Sequence, residues 1–65
     1  MEKAYVIAAL ETFGGGFAKK LGTLLAVADG DNTRILTGAF AAKYPDYFPG
    51  GCWYEEISKT ERGIK

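Results

Sequence analysis

The sequence predicts an all-α fold: a helical hairpin with a long, glycine-containing first helix, a shorter second helix and an irregular aromatic C-terminal segment. Three observations carry this. Large apolar residues recur every three or four positions through residues 2–28, which is the helical period. The same spacing returns over residues 32–44. Between the two runs stands Asp29-Gly30-Asp31, a turn-forming cluster short enough to join antiparallel helices. A small α+β arrangement, with strands over residues 3–10, 33–40 and 52–57, is the alternative. The alanine content of the first two segments speaks against it, because alanine is depleted in strands.

In the first segment the large residues are Val6, Leu10, Phe13, Phe17, Leu21 and Leu24, with Ala28 closing the series. The phase survives passage through Gly14-Gly15-Gly16, which favours one long helix, kinked at most. The competing reading is two helices, 3–13 and 17–28, with a glycine hinge, since each interior glycine costs about 1 kcal/mol against alanine. On the continuous helix, Ala4, Ala8, Gly15, Gly22 and Ala26 fall together opposite the large stripe. Such a small-residue face lets a second backbone approach closely and predicts self-association.

Gly30 suits the residue that ends a helix, and Asp31 suits the N-cap of the next. The second helix then carries Ile35, Leu36, Ala39, Phe40 and Tyr44 on one face and stops at Pro45. Beyond it come five aromatics within eleven residues, Tyr44, Tyr47, Phe48, Trp53 and Tyr54, interrupted by Pro45, Pro49, Gly50 and Gly51. Prolines and paired glycines predict irregular backbone here. Residues 52–57 read as a short strand or a helical turn. The whole makes one helical domain over residues 1–57 and a frayed polar tail over 58–65.

Size constrains function. A chain of 65 residues buries only about 60% of its unfolded surface and needs a staple. Cys52 is the lone cysteine and there is no histidine, so neither an internal disulfide nor a zinc site is expected. Oligomerisation remains. Eight basic and eight acidic residues cancel and are well mixed along the chain; a nucleic-acid binder would show a basic stripe. No run approaches the ~20 apolar residues of a membrane span, and no export leader is legible. The expected setting is cytoplasmic.

Catalysis is not expected. Histidine, the usual acid–base group, is absent. Asp29 and Asp31 read as cap and turn residues, and Cys52 has no base to activate it. A calcium loop opening at Asp29 needs glycine at its sixth position and glutamate at its twelfth, where Arg34 and Phe40 stand. A P-loop needs four residues between its glycines and then Gly-Lys-Ser/Thr, which Gly14-Gly15-Gly16-Phe17-Ala18-Lys19-Lys20 lacks. Should the glycines open the helix, amides near Gly14, Gly15 and Gly16, with Lys19 and Lys20, would suit an anion. No cofactor is implied. The aromatics Tyr44, Tyr47, Phe48, Trp53 and Tyr54 either fold back over the core or present a partner-binding patch, and both uses can hold for different members.

The run from Glu11 to Leu21, Glu-Thr-Phe-Gly-Gly-Gly-Phe-Ala-Lys-Lys-Leu, resembles the Phe-Gly-Gly-x-Phe element of small, uncharacterised phage- and prophage-encoded helical proteins. So do Ala28-Asp29, Asn32, Leu36, Ala39-Phe40 and Tyr44-Pro45-Asp46-Tyr47-Phe48. The resemblance covers residues 5–48. It departs at Ala41-Ala42-Lys43, where the family's proline would directly follow Ala-Phe. It implies a helical architecture, a phage origin and a bacterial host cytoplasm, and no activity. The expectation that follows is a self-associating protein that binds and blocks a host protein, in a defence system such as CRISPR or in transcription. A nucleotide-sequestering protein and a virion assembly protein are the alternatives.

Overall fold

The first helix breaks at Gly14. In the computed structural model, which describes residues 2–61, α1 runs Lys3–Phe13 and α2 runs Gly16–Val27. They are followed by α3 (Gly30–Phe40), a 3-10 turn (Pro45–Tyr47) and α4 (Cys52–Glu61). The described residues contain no strand, so the fold is all-α.

The continuous first helix is therefore corrected to a hairpin. Gly14 takes extended backbone (φ −90°, ψ 161°) while its amide still donates to the Leu10 carbonyl. The chain then doubles back, and Lys3 Nζ, at the start of α1, donates to the Ala28 carbonyl just past α2 at 2.6 Å. A side chain at Gly14 would collide with the Ala18 Cβ and with the Leu10 carbonyl oxygen. The turn thus requires glycine at its first position and leaves Gly15 and Gly16 unconstrained, with nothing within 4 Å of a Cβ at either.

The two helices bury Val6, Ala9 and Leu10 against Leu21, Gly22 and Leu25. A Cβ at Gly22 would lie 3.3 Å from Glu11 Cγ and 3.5 Å from both the Ile7 carbonyl oxygen and Leu10 Cβ, so α1 packs directly against the backbone of α2 here. The buried face of α2 consequently sits one position along from the predicted stripe. Leu25 is buried, whereas Leu24 is 50% and Phe17 60% exposed. Once the break frees α2 from the phase of α1, it turns the face that lets α1 approach nearest.

Asp29, not Asp31, is the N-cap of α3: its Oδ1 accepts from the Asn32 amide at 2.8 Å. Gly30 is the first helical residue, not a helix end, and Asp31 instead pairs with Arg34 at 2.7 Å on the surface. The helix ends at Phe40, earlier than the spacing predicts, and residues 41–43 turn before Tyr44 leaves the helical region ahead of Pro45.

The C-terminal segment is not irregular. The two prolines and the paired glycines fall within residues 45–51, where Gly50 takes a positive φ of 91° and Gly51 lies against the Pro45–Asp46 backbone. From Cys52 the chain is helical through Glu61, across the predicted boundary at residue 57; residues 62–65 of the predicted tail lie outside the described residues. α4 lays Trp53, Tyr54, Ile57 and Ser58 toward the core, the one-face spacing of an amphipathic helix. Trp53 and Tyr54 diverge along α1. Tyr54 meets Tyr5 edge-on (centroids 5.9 Å apart) and its hydroxyl accepts from the Glu2 amide, while Trp53 stacks on Phe13.

The glycine triplet should split in its response to alanine. Gly14→Ala should lower unfolding free energy by about 2–4 kcal/mol, because neither colliding atom can move cheaply. Gly16→Ala should raise it by about 0.5 kcal/mol through loss of chain entropy in the unfolded state. Urea titration followed by circular dichroism measures both.

Candidate functional site

The predicted aromatic patch divides. Tyr47, Phe48 and Tyr54 are core residues, 9%, 4% and 8% exposed. Trp53 and Tyr44 are half-buried. Trp53 lies between two rings, nearly parallel to Phe13 (centroids 5.5 Å, planes at 9°) and against Tyr47 (4.9 Å). Tyr44 joins a second cluster with Phe17 and Phe40, each pair of rings about 6 Å apart, within the range of favourable aromatic contact. The patch thus serves chiefly to close the core, with Tyr44 and Trp53 at its accessible edge.

Unpredicted apolar surface appears elsewhere. α3 contributes no buried residue to the core, although Ile35, Leu36 and Phe40 line one face at helical spacing. Together with α2 it frames an open groove. At one end Leu24, Val27 and Ala28 face Asn32, Ile35 and Leu36 across a hollow of about 360 Å³; at the other, Phe17, Leu21 and Leu24 face Leu36 and Phe40 beside Lys20. Val27 is 79% and Ile35 65% exposed. Spacing alone places Leu24 and Phe17 in the core stripe, so only the shifted face of α2 reveals this surface.

The small-residue set does not form one face. Ala4 and Ala26 are exposed, Ala8 is half-buried, Gly15 is exposed in the break, and Gly22 is buried against α1. Gly22 spends its lack of side chain on packing within the chain. Of the anion-binding set, Gly14 is occluded by its own turn, Gly15 and Gly16 open onto a hollow beside Tyr47, and Lys19 and Lys20 are exposed on the first turns of α2. Gly15 occupies the N-cap position of α2 without a side chain to satisfy the helix amides.

Cys52 is an exposed free thiol. Among the described residues no three His, Cys, Asp or Glu side chains gather where they could hold a metal, and no helix is long and apolar enough to cross a membrane. Comparison with protein-family models, curated proteins and solved structures finds no match.

Trp53→Ala should destabilise the fold by about 3 kcal/mol, since it empties a site walled by Phe13 and Tyr47. Trp53→Phe should recover at least half. Thermal melts followed by far-ultraviolet circular dichroism read the difference; a wild-type melting temperature for Trp53→Ala would assign the ring to the surface.

Proposed function

We propose that this chain is an interaction protein that self-associates through the α2–α3 groove and, so assembled, binds and blocks a host protein. The observation that carries the reading is α3, a helix of 11 residues that buries none of them while Val27 and Ile35 stand largely in solvent. Contiguous exposed apolar surface marks a contact site more often than an accident of packing. A short chain without disulfide or metal also gains most from a partner that covers such a face.

A second copy fits the groove on electrostatic grounds. The chain has no net charge, and the carboxylate and guanidinium on the exposed part of α3, Asp31 and Arg34, neutralise each other. Two copies can therefore meet through the uncharged end of this face, Leu24, Val27, Ile35 and Leu36, with Lys20 at the other end, without like-charge repulsion. The host target rests on the resemblance to phage-encoded proteins and on small size; α2–α3 pairing would leave Trp53, packed on Phe13 and Tyr47 away from the groove, for that contact. The assignment moves self-association from the small-residue set to Leu24, Val27, Ile35 and Leu36.

Sedimentation velocity over a wide concentration range tests the self-association. The wild type should populate a dimer, and Val27→Asp or Ile35→Asp should weaken it at least tenfold, since an unpaired carboxylate would be desolvated at the contact. Both residues are too exposed for the change to unfold the monomer, so helicity should hold. A wild type that stays monomeric at all concentrations, or a dimer indifferent to both substitutions, defeats the proposal.

A further inference from the structure

The groove between α2 and α3 carries its charge at its two ends. α3 runs back along α2, so that Val27 and Ala28 lie beside Asn32, and Phe17 and Leu21 beside Phe40. Lys20 stands one helical turn before Leu24 and lines the groove at the Phe40 end. Asp31 stands one turn before Ile35 on α3, and residues four apart share a helix face. It therefore edges the groove at the opposite end, beside Asn32. Between the two charges lie Leu24, Val27, Ile35 and Leu36.

Both charged groups can reach a partner. Lys20 is exposed and has no ion pair or side-chain hydrogen bond among the described residues. The Asp31 side chain is 83% exposed, and its Oδ1 accepts from Arg34 Nη2 at 2.7 Å. Arg34 does not face the groove; it lines the other side of α3 with Thr33, Thr37 and Gly38. A cation arriving from the groove side therefore meets the Asp31 carboxylate before the guanidinium. Of the other charges at this corner, the Lys3 ammonium is engaged with the Ala28 carbonyl and the Asp29 carboxylate with the Asn32 amide.

A twofold axis that brings two such faces together has two limiting directions. An axis along the helices lays like ends together, Lys20 by the partner's Lys20 and Asp31 by the partner's Asp31. An axis across the helices reverses the second copy, and each Lys20 comes to the end that carries the partner's Asp31. Like charges juxtaposed at a contact are costly, whereas opposite ones steer the encounter and fix its register.

We infer that two copies pair through this groove in antiparallel register, each Lys20 forming an ion pair with Asp31 of the partner subunit. The inference rests on self-association through the groove and adds its direction. Two ion pairs then flank the apolar contact. The contact is reciprocal, so the assembly closes at a dimer and does not propagate. Lys20 and Asp31 act as specificity residues. Exposed pairs add little affinity, and their effect is to exclude the arrangement that sets like ends together.

Charge reversal followed by sedimentation velocity tests the direction. Lys20→Glu sets an acid against the partner's Asp31 at both ends and should weaken the dimer about fivefold or more. Asp31→Lys should do the same. Together they restore opposite charges and should bring the dissociation constant back to within about twofold of wild type. Lys59→Glu and Glu56→Lys are exposed changes of the same size on α4, which packs on α1 and not on α3. They should leave the dimer unaltered, which separates a local pair from net repulsion. The losses should shrink in ~1 M salt, where charges are screened beyond about 3 Å. A dimer that Val27→Asp disrupts but neither reversal weakens overturns the inference and leaves the groove as the contact. Losses that the double variant does not recover overturn it as well. A wild type that stays monomeric defeats both readings. If Asp31→Lys does not fold, Lys20→Glu against Lys59→Glu decides alone.

Discussion

The close approach of α1 and α2 at Gly22 is the contact on which the rest of the structure depends. Val6, Leu10 and Leu25, the largest fully buried side chains of the fold, all belong to this pair of helices. Burying each contributes about 1.5–3 kcal/mol relative to exposure, and the gain requires the backbones to stand close enough for these side chains to interdigitate. Gly22 permits that distance, and Gly14 permits the reversal that brings it about. α4 and the 3-10 turn then close the pair from one side through Tyr47, Phe48 and Tyr54.

What the hairpin lacks is a cover on its other side. α3 leans on α2 mainly through Leu36, Phe40 and the Phe17 ring, and leaves Ile35 and Val27 facing water. Free energy of opening follows local burial, so the molecule has a firm half, α1 with α2 and α4, and a half held by few contacts. A helix in that position is well suited to be fixed by a second chain, and the aromatic cluster of Phe17, Phe40 and Tyr44 gives it a pivot. The open start of α2 lies between the two halves, which is why Phe17 borders both the groove and the hollow beside Tyr47.

Helical character was legible in the three- and four-residue spacing, because that spacing follows from backbone geometry alone. The break at Gly14 was legible in the cost of three adjacent glycines, as the competing reading of two helices over 3–13 and 17–28, but periodicity could not decide for it, since a hairpin of two helices can keep the same spacing on either side of its turn as one continuous helix. Periodicity reports that a face is apolar and is silent on what covers it. For that reason Leu24 and Phe17 read as core, and the groove went unseen. α4 was hidden by its neighbours: Pro49, Gly50 and Gly51 depress the local expectation, although Trp53 with Ile57 and Tyr54 with Ser58 already stood at helical spacing. Of the site, the glycines and aromatics were legible by type, but the hollow that sets Tyr44 and Tyr47 beside the start of α2 joins residues some thirty positions apart, which no local pattern encodes.

Amide hydrogen exchange at low and high protein concentration tests this division most directly. Amides in the middle of α1 and α2, around Leu10 and Leu25, should be the slowest and should not respond to concentration beyond any gain in global stability. Those of α3 from Ile35 to Ala39 should exchange far faster in dilute protein and slow markedly as concentration rises and a second copy covers the groove. Uniform protection across all four helices, the same at both concentrations, would contradict the account: α3 would then be held by the chain itself, and its apolar face would need no partner.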